Sequence, residues 1–322
     1  MDNYGFVKVA AAVPQVAVAD CARNAERIVA LAQQAARRGV ELVAFPELAV
    51  TGYTCADLFL QPALLDAADE ALGEIMRQTR KLPLALIVGL PLRHEDRLYN
   101  CAAVVAQGRL LGVVPKSYIP NYAEFYEARW FASGAGIEEE RITAAGQEAD
   151  FGTELTFAVN GAEFGIEICE DLWVASPPSS RLVLNGAKLI FNLSASPEGV
   201  GKHAYLRELV AQQSARTHTA YVYCSAGFGE SSTDLVFAGN GLIAENGTMI
   251  VEGDRFSTEE QIVAADVDIE FLRSERMRRN TFAYYGTTLP PRRIAITLPA
   301  AAESAFDRTV DPAPFVPHDS GD

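Results

Sequence analysis

Short unbroken apolar runs alternate along this chain with stretches whose apolar positions recur every three or four residues. Phe6–Val13 and Val40–Phe45 are runs of the first kind, the pattern of strands covered on both faces. Between them Ala25, Ile28, Val29, Ala32, Ala35 and Ala36 fall at helical spacing. Asp20 is placed to cap that helix and Gly39 to end it, so the chain opens β-α-β. A second amphipathic helix is predicted from about Pro62 to Arg80. Three short strands follow, Leu84–Leu90, Tyr99–Ala106 and Leu110–Val114, separated by the turns Arg93-His94-Glu95-Asp96 and Gln107-Gly108. That spacing predicts a meander.

The stretch Pro115–Trp130 has no clean period and reads as a structured loop with a short helix. Residues Gly134 to Asp150 are polar and read as a surface excursion. Strands Leu155–Val159 and Glu163–Ile168 flank Asn160-Gly161, a type I′ hairpin signal. After Pro177-Pro178 the pattern gives a helix, a strand at Ala187–Leu193, a helix over Lys202–His218 and a strand at Ala220–Ser225. Leu235–Phe237, Leu242–Ala244, Thr248–Val251 and Gln261–Val267 are expected to complete a second meander. A helix-flanked sheet block thus occurs twice. Two apolar sheets stacked face to face, with helices outside, form a four-layer α-β-β-α sandwich. Residues 1–298 read as one domain. The Pro-, Ala- and Asp-rich residues 299–322 read as a tail or linker.

Composition narrows the function classes. The 42 acidic against 27 basic residues leave a net charge of -15, which disfavours nucleic acid. The Arg273-Ser274-Glu275-Arg276-Met277-Arg278-Arg279 segment is the one basic cluster, and it reads as a solvated or interface face. No apolar run approaches the roughly 20 residues that span a bilayer. Five dispersed cysteines without framework spacing, and the lack of an apolar leader, point to a reduced, cytoplasmic setting. No Cys or His lies at metal-ligand spacing from any of the five, so no metal is expected.

Candidate chemistry lies at strand ends. The run Gly165-Ile166-Glu167-Ile168 stops at Cys169, followed by Glu170 and Asp171. A cysteine leaving a strand tip exposes its sulfur and the next backbone N–H together, as a nucleophile requires. Acids alone raise a thiol pKa, so reactivity needs a cation or a base nearby. His203 or His218 is one source. The other is a glutamate and lysine pair: Glu47 ends Val43-Ala44-Phe45-Pro46, and Lys116 ends Val113-Val114-Pro115.

Phe45-Pro46-Glu47-Leu48, Pro115-Lys116-Ser117-Tyr118 and Glu167-Ile168-Cys169-Glu170-Asp171-Leu172-Trp173 resemble, in order, the three signature blocks of the nitrilase (carbon–nitrogen hydrolase) superfamily. The similarity runs from Phe6 to about Ile296. The Cys-Glu-Asp-Leu-Trp form is similar to one branch, the glutaminase domains of glutamine-dependent NAD synthetases. So are Tyr99-Asn100, Phe125-Tyr126-Glu127, Asn192-Leu193-Ser194-Ala195-Ser196-Pro197 and Leu272-Arg273-Ser274-Glu275-Arg276. The resemblance implies the α-β-β-α sandwich and a catalytic set: Glu47 as general base and acid, Lys116 as oxyanion donor, Cys169 as nucleophile and Glu124 orienting the lysine. The backbone N–H of Glu170 becomes the second oxyanion donor. Tyr53, Tyr122, Phe125, Glu170, Ser196 and Lys202 fall where the branch places glutamine contacts.

In that branch a synthetase domain follows, marked by a Ser-Gly-Gly-x-Asp-Ser loop that this sequence lacks. Ser225-Ala226-Gly227-Phe228-Gly229-Glu230-Ser231-Ser232-Thr233-Asp234 has a similar composition but neither paired glycines nor a lysine, and reads as a loop near the site or a partner interface. Phe315-Val316-Pro317 resembles the linker into the missing domain. The expected partners are glutamine, a synthetase domain in cis or in trans, and further copies of the chain. ATP and Mg would belong to the synthetase part. The alternatives are an amidase acting on another small carboxamide and a catalytically silent regulatory module.

Overall fold

A computed structural model describes residues 4–138, 140–282, 292–299, 306–309, 312–313 and 316. Strand β1 (Phe6–Val13), helix α1 (Cys21–Arg37) and strand β2 (Leu42–Ala44) form the opening β-α-β unit, with Asp20 accepting the Arg23 amide as the cap. Helix α2 (Pro62–Thr79) leads into the hairpins β3 (Ala85–His94), β4 (Arg97–Ala106) and β5 (Arg109–Pro115). A short 3₁₀ turn at Glu127–Arg129 lies in the long loop that follows.

The expected surface excursion from Gly134 to Asp150 is instead mostly a hairpin, β6 (Glu140–Ala144) and β7 (Gln147–Phe151), whose β7 extends the sheet beside β5. β6 buries only alternate residues and carries Glu140 and Arg141 on an exposed edge, so its composition reads as loop. β8 (Thr156–Val159) and β9 (Ala162–Ile168) close around Asn160 and Gly161, both at positive φ as a type I′ turn requires. Helix α3 (Pro178–Leu184), strand β10 (Leu189–Ser194), helix α4 (Lys202–Thr217) and strand β11 (Ala220–Ser225) follow. The last elements are β12 (Gly241–Glu245), β13 (Thr248–Glu252), β14 (Gln261–Asp268), α5 (Ile269–Arg278) and β15 (Arg293–Ile296).

The strands form an eight-stranded sheet ordered β14-β1-β2-β3-β4-β5-β7-β6 and a seven-stranded sheet ordered β13-β12-β11-β10-β9-β8-β15. Two expectations about the second meander are corrected. Leu235–Phe237 is irregular rather than a strand, because its backbone serves loop contacts such as the Glu198 amide to the Val236 carbonyl, 2.7 Å. And β14 leaves the second sheet to pair antiparallel with β1 across its whole length.

Alternation along each strand sorts the core into layers. Val7, Val9 and Ala11 of β1 face Phe164, Phe191 and Val222 between the sheets. Ala10 and Ala12 point the other way, into the α1 and α2 layer. On the far side Ile190, Tyr221 and Leu242 meet α3 and α4 through Leu182, Leu206 and Val210. This is the four-layer α-β-β-α sandwich. Strands covered on both faces lose the usual in-out alternation, which explains the unbroken apolar runs.

The basic cluster is not a free patch. Arg273 and Arg278 pair with Glu270 and Glu275 on α5. The Arg276 guanidinium donates to the carbonyls of Ala187, Thr217 and His218, and burial lowers its pKa to about 10. Most of residues 299–322 lies outside the described residues. The described Phe306–Arg308 segment lies on the β1 and β14 edge. There Phe306 meets the Phe6 ring edge-on at 4.8 Å, Asp307 accepts from Lys8 at 3.0 Å, and Arg308 forks onto Glu245 at 2.7 and 3.0 Å.

Candidate active site

Three strand ends converge. β2 runs out at Ala44, and the turn Pro46-Glu47-Leu48 is pinned on β3 by the Phe45 amide to Ile87 (2.9 Å) and the Val50 amide to Gly89 (3.1 Å). Leu48 sits at φ +53. Gly89 is needed there, because a Cβ at that position would lie 2.3 Å from the Pro46 carbonyl and 2.5 Å from the Leu48 amide. Glu47 is therefore aimed inward and is only 1% exposed.

Lys116 leaves β5 fully buried, with its amide on the Asn100 carbonyl at 2.8 Å. Its Nζ donates to Glu47 Oε1 at 2.7 Å and to both Glu127 oxygens at 2.9 Å. Asn100 also donates to Glu47 Oε1, at 2.6 Å. Glu47 Oε2 is buried without a hydrogen-bond partner, an acceptor oxygen left open for a moving proton.

Cys169 follows β9 at φ +47, in the left-handed region. For a residue with a Cβ this costs on the order of 1 kcal/mol and marks a turn held by its surroundings. Asp171 holds it. Its buried carboxylate accepts the Ile168 amide at 2.9 Å behind the cysteine and the Tyr118 amide at 2.8 Å beyond the lysine. One side chain thus staples the cysteine turn to the lysine segment.

Charge in this pocket is unevenly held. Burial works to lower the Lys116 pKa, but the charges of Glu127 and Glu47 outweigh it and hold the ammonium well above its ordinary range. Burial raises Glu127 to about 7 against the opposing pull of Lys116. Burial, then the Glu47 charge, push the Cys169 thiol far up, with Lys116 opposing them. The resting site thus has a charged lysine, a protonated thiol and an open carboxylate oxygen, an arrangement suited to base-assisted attack by sulfur on a polarised carbonyl. No group of three or more His, Cys, Asp or Glu among the described residues could hold a metal ion.

Glu47, Lys116 and Cys169 are brought together; Glu124 is not part of that set. It is exposed, and the carboxylate on the lysine is Glu127, 1% exposed and eleven residues beyond Lys116. The exposed loop composition of Asn121–Tyr126 hid the 3₁₀ turn that swings Glu127 inward. Tyr53 reaches the buried carboxylates, its hydroxyl donating to Glu127 at 2.8 Å. Tyr122 donates to Glu170 at 2.9 and 3.0 Å and meets Phe125 edge-on. Lys202 lies 5.4 Å over the Trp173 ring, and burial lowers its pKa against the charges of Cys169, Glu124, Glu198 and Glu170. Ser196 is buried, its amide donating to the Ser225 hydroxyl at 3.3 Å. Of the two histidine candidates, His218 contacts Asn246, while His203 lies 3.8 Å from Glu252.

A sequence profile of the family described as carbon-nitrogen hydrolase matches residues 8–277. The chain belongs to the carbon–nitrogen hydrolase family. As a carbon–nitrogen hydrolase it is an enzyme, similar to the glutamine-dependent NAD(+) synthetase of Mycobacterium tuberculosis strain H37Rv at 43% identity, over 98% of this chain and 48% of that protein. The synthetase of the same description from Aquifex aeolicus is 31% identical over 81% of the chain and 42% of its own length. The chain spans about half the length of these curated relatives. Among solved structures, a glutamine-dependent NAD(+) synthetase from Cytophaga hutchinsonii aligns with a TM-score of 0.73 and 29% identity, covering 83% of this chain and 44% of that one. A nitrilase-superfamily amidase from Nesterenkonia AN1 shares the fold, with a TM-score of 0.64 at 18% identity over 86% of this chain and 96% of its own. The sandwich expected from the strand pattern is thus the fold of this carbon–nitrogen hydrolase.

Proposed function

We propose that this chain hydrolyses the side-chain amide of glutamine to glutamate and ammonia. The reading rests above all on one observation. Lys116 and Glu47 are buried 2.7 Å apart beside Cys169, and the mouth of the site carries an acid, Glu170, and a cation, Lys202. An amino-acid amide brings an α-ammonium and an α-carboxylate, which those two side chains complement, with Tyr122, Phe125 and Ser196 around them.

The steps follow from the groups present. Glu47 takes the Cys169 proton as sulfur attacks the amide carbon, and the oxyanion is met by the Lys116 ammonium and the Glu170 backbone N–H. Glu47 then returns the proton to the departing nitrogen, ammonia leaves, and a cysteinyl thioester remains. Water, deprotonated by Glu47, attacks the thioester; glutamate departs and the thiol is restored. Glu127 holds the lysine and Asp171 the cysteine turn. Water is the only co-reactant this scheme needs; ATP and Mg would belong to a synthetase part acting with it. In that setting the ammonia would serve amidation of deamido-NAD, with residues 299–322 as the connecting linker.

The test is glutamate release from glutamine by the purified chain, alone and with a synthetase domain added, beside a panel of simple aliphatic amides. Cys169→Ala is expected to lower hydrolysis by roughly a thousandfold or more. Turnover of the simple amides with none of glutamine, even with the synthetase present, would overturn the glutamine reading in favour of a general amidase.

A further inference from the structure

The loop between β11 and β12 carries an acid that the catalytic scheme does not use. Glu230 accepts the Tyr53 amide at 2.7 Å, the Thr54 amide at 3.0 Å and the Thr54 hydroxyl at 2.5 Å. The neighbouring Ser231 amide donates to the same Thr54 hydroxyl at 2.9 Å. The loop is itself anchored, with the Val16 amide on the Phe228 carbonyl at 3.1 Å and the Phe237 ring 5.8 Å from that of Tyr53. Tyr53 in turn reaches Glu127 at 2.8 Å, and Glu127 holds Lys116. Two acids are thereby connected through one tyrosine, although they lie about a hundred residues apart in sequence. A cleft of about 240 Å³ lined by Tyr53, Thr54, Glu127, Trp130, Ser231 and Asp234 opens beside them.

Resting on the amidohydrolase reading above, we propose that Glu230 is a positioning residue that fixes the Tyr53–Thr54 backbone, so that the Tyr53 hydroxyl keeps Glu127 ionised against Lys116. A carboxylate suits that place because it accepts from two amides and a hydroxyl at once, which a neutral carboxamide cannot match. The groups facing Glu127 are Lys116 from the end of β5, Glu47 from the turn after β2, Tyr53, and Cys169 after β9, whose thiol feels the Glu127 charge. The Tyr53 hydrogen bond lowers the Glu127 pKa, so losing it raises that pKa.

The experiment compares the full chain with Glu230→Gln, Tyr53→Phe and the double variant. Its readouts are the pH dependence of glutamine kcat and KM, and the pH dependence of Cys169 alkylation by iodoacetamide followed on the Cys169 peptide. Glu230→Gln is expected to lower kcat about tenfold with KM within about twofold, and to move the acid limb of the kcat profile to higher pH. Tyr53→Phe should do the same, and the double variant should be no worse than either single one. Thr54→Val, which removes the hydroxyl's bonds to Glu230 and to the Ser231 amide but keeps the carboxylate and both of its backbone amide donors, should give a smaller shift in the same direction and serves if Glu230→Gln does not fold. Additive losses in the double variant, or an unmoved pH profile in folded protein, would overturn the proposal. If glutamine is not hydrolysed but the alkylation profile still moves between wild type and Glu230→Gln, the positioning role stands and the glutaminase reading fails.

Discussion

Asp171 shows how much one side chain settles at this site. Its carboxylate holds both the cysteine turn and the lysine segment, yet burial raises its pKa to about 7. An acid whose pKa is higher in the folded than in the unfolded chain stabilises the fold fully below the unfolded value. That contribution is lost as pH climbs through the folded value. Between pH 5 and 7.5 the wild-type chain should therefore lose on the order of 2–3 kcal/mol that Asp171→Asn does not lose. Denaturant unfolding at the two pH values measures the difference, and equal slopes would exclude this role. At this scale the sequence was legible for Glu47, Lys116 and Cys169, each of which ends an apolar run. It was not legible for Glu127, whose neighbours are exposed and whose burial depends on a 3₁₀ turn formed against the rest of the loop. Glu124, the nearer acid, has nothing local to distinguish it from Glu127.

Elements position these residues through close backbone approach. β3 passes so near the Glu47 turn that Gly89 has no space for a methyl group. Gly89→Ala is expected to destabilise the fold by about 1–3 kcal/mol, as overpacking does, and to lower turnover more than substrate affinity, since the displaced group is Glu47. Thermal melting with kcat and KM checks both parts; an unchanged kcat would mean the turn yields elsewhere. Strand periodicity located most elements to within a few residues because both sheets are apolar on both faces. It failed for β6, an edge strand that buries alternate residues only, for β7, whose buried stretch is just Ala149–Phe151 with an acid in its middle, and for Leu235–Phe237, whose apolar side chains serve a loop that packs on Tyr53.

Across the whole molecule, pairing joins distant parts of the chain. The Phe306–Arg308 segment lies at the Phe6 and Lys8 end of β1. β1 runs parallel to β2, and Glu47 follows the opposite end of β2. Deleting residues 300–322 should cost about 1–3 kcal/mol, because buried Glu245 loses its Arg308 fork, while leaving hydrolysis at 25 °C within about twofold. A large fall in turnover without loss of stability would place this segment in the catalytic machinery. The β14 crossover has a consequence in time. Phe6 pairs with Asp268 and Val13 with Gln261, so during synthesis the first strand waits as an open edge until more than two hundred further residues have emerged. Contacts of such separation fold slowly, and open edges invite pairing with other chains. Newly made chains should thus depend on chaperones until β14 arrives and closes that edge.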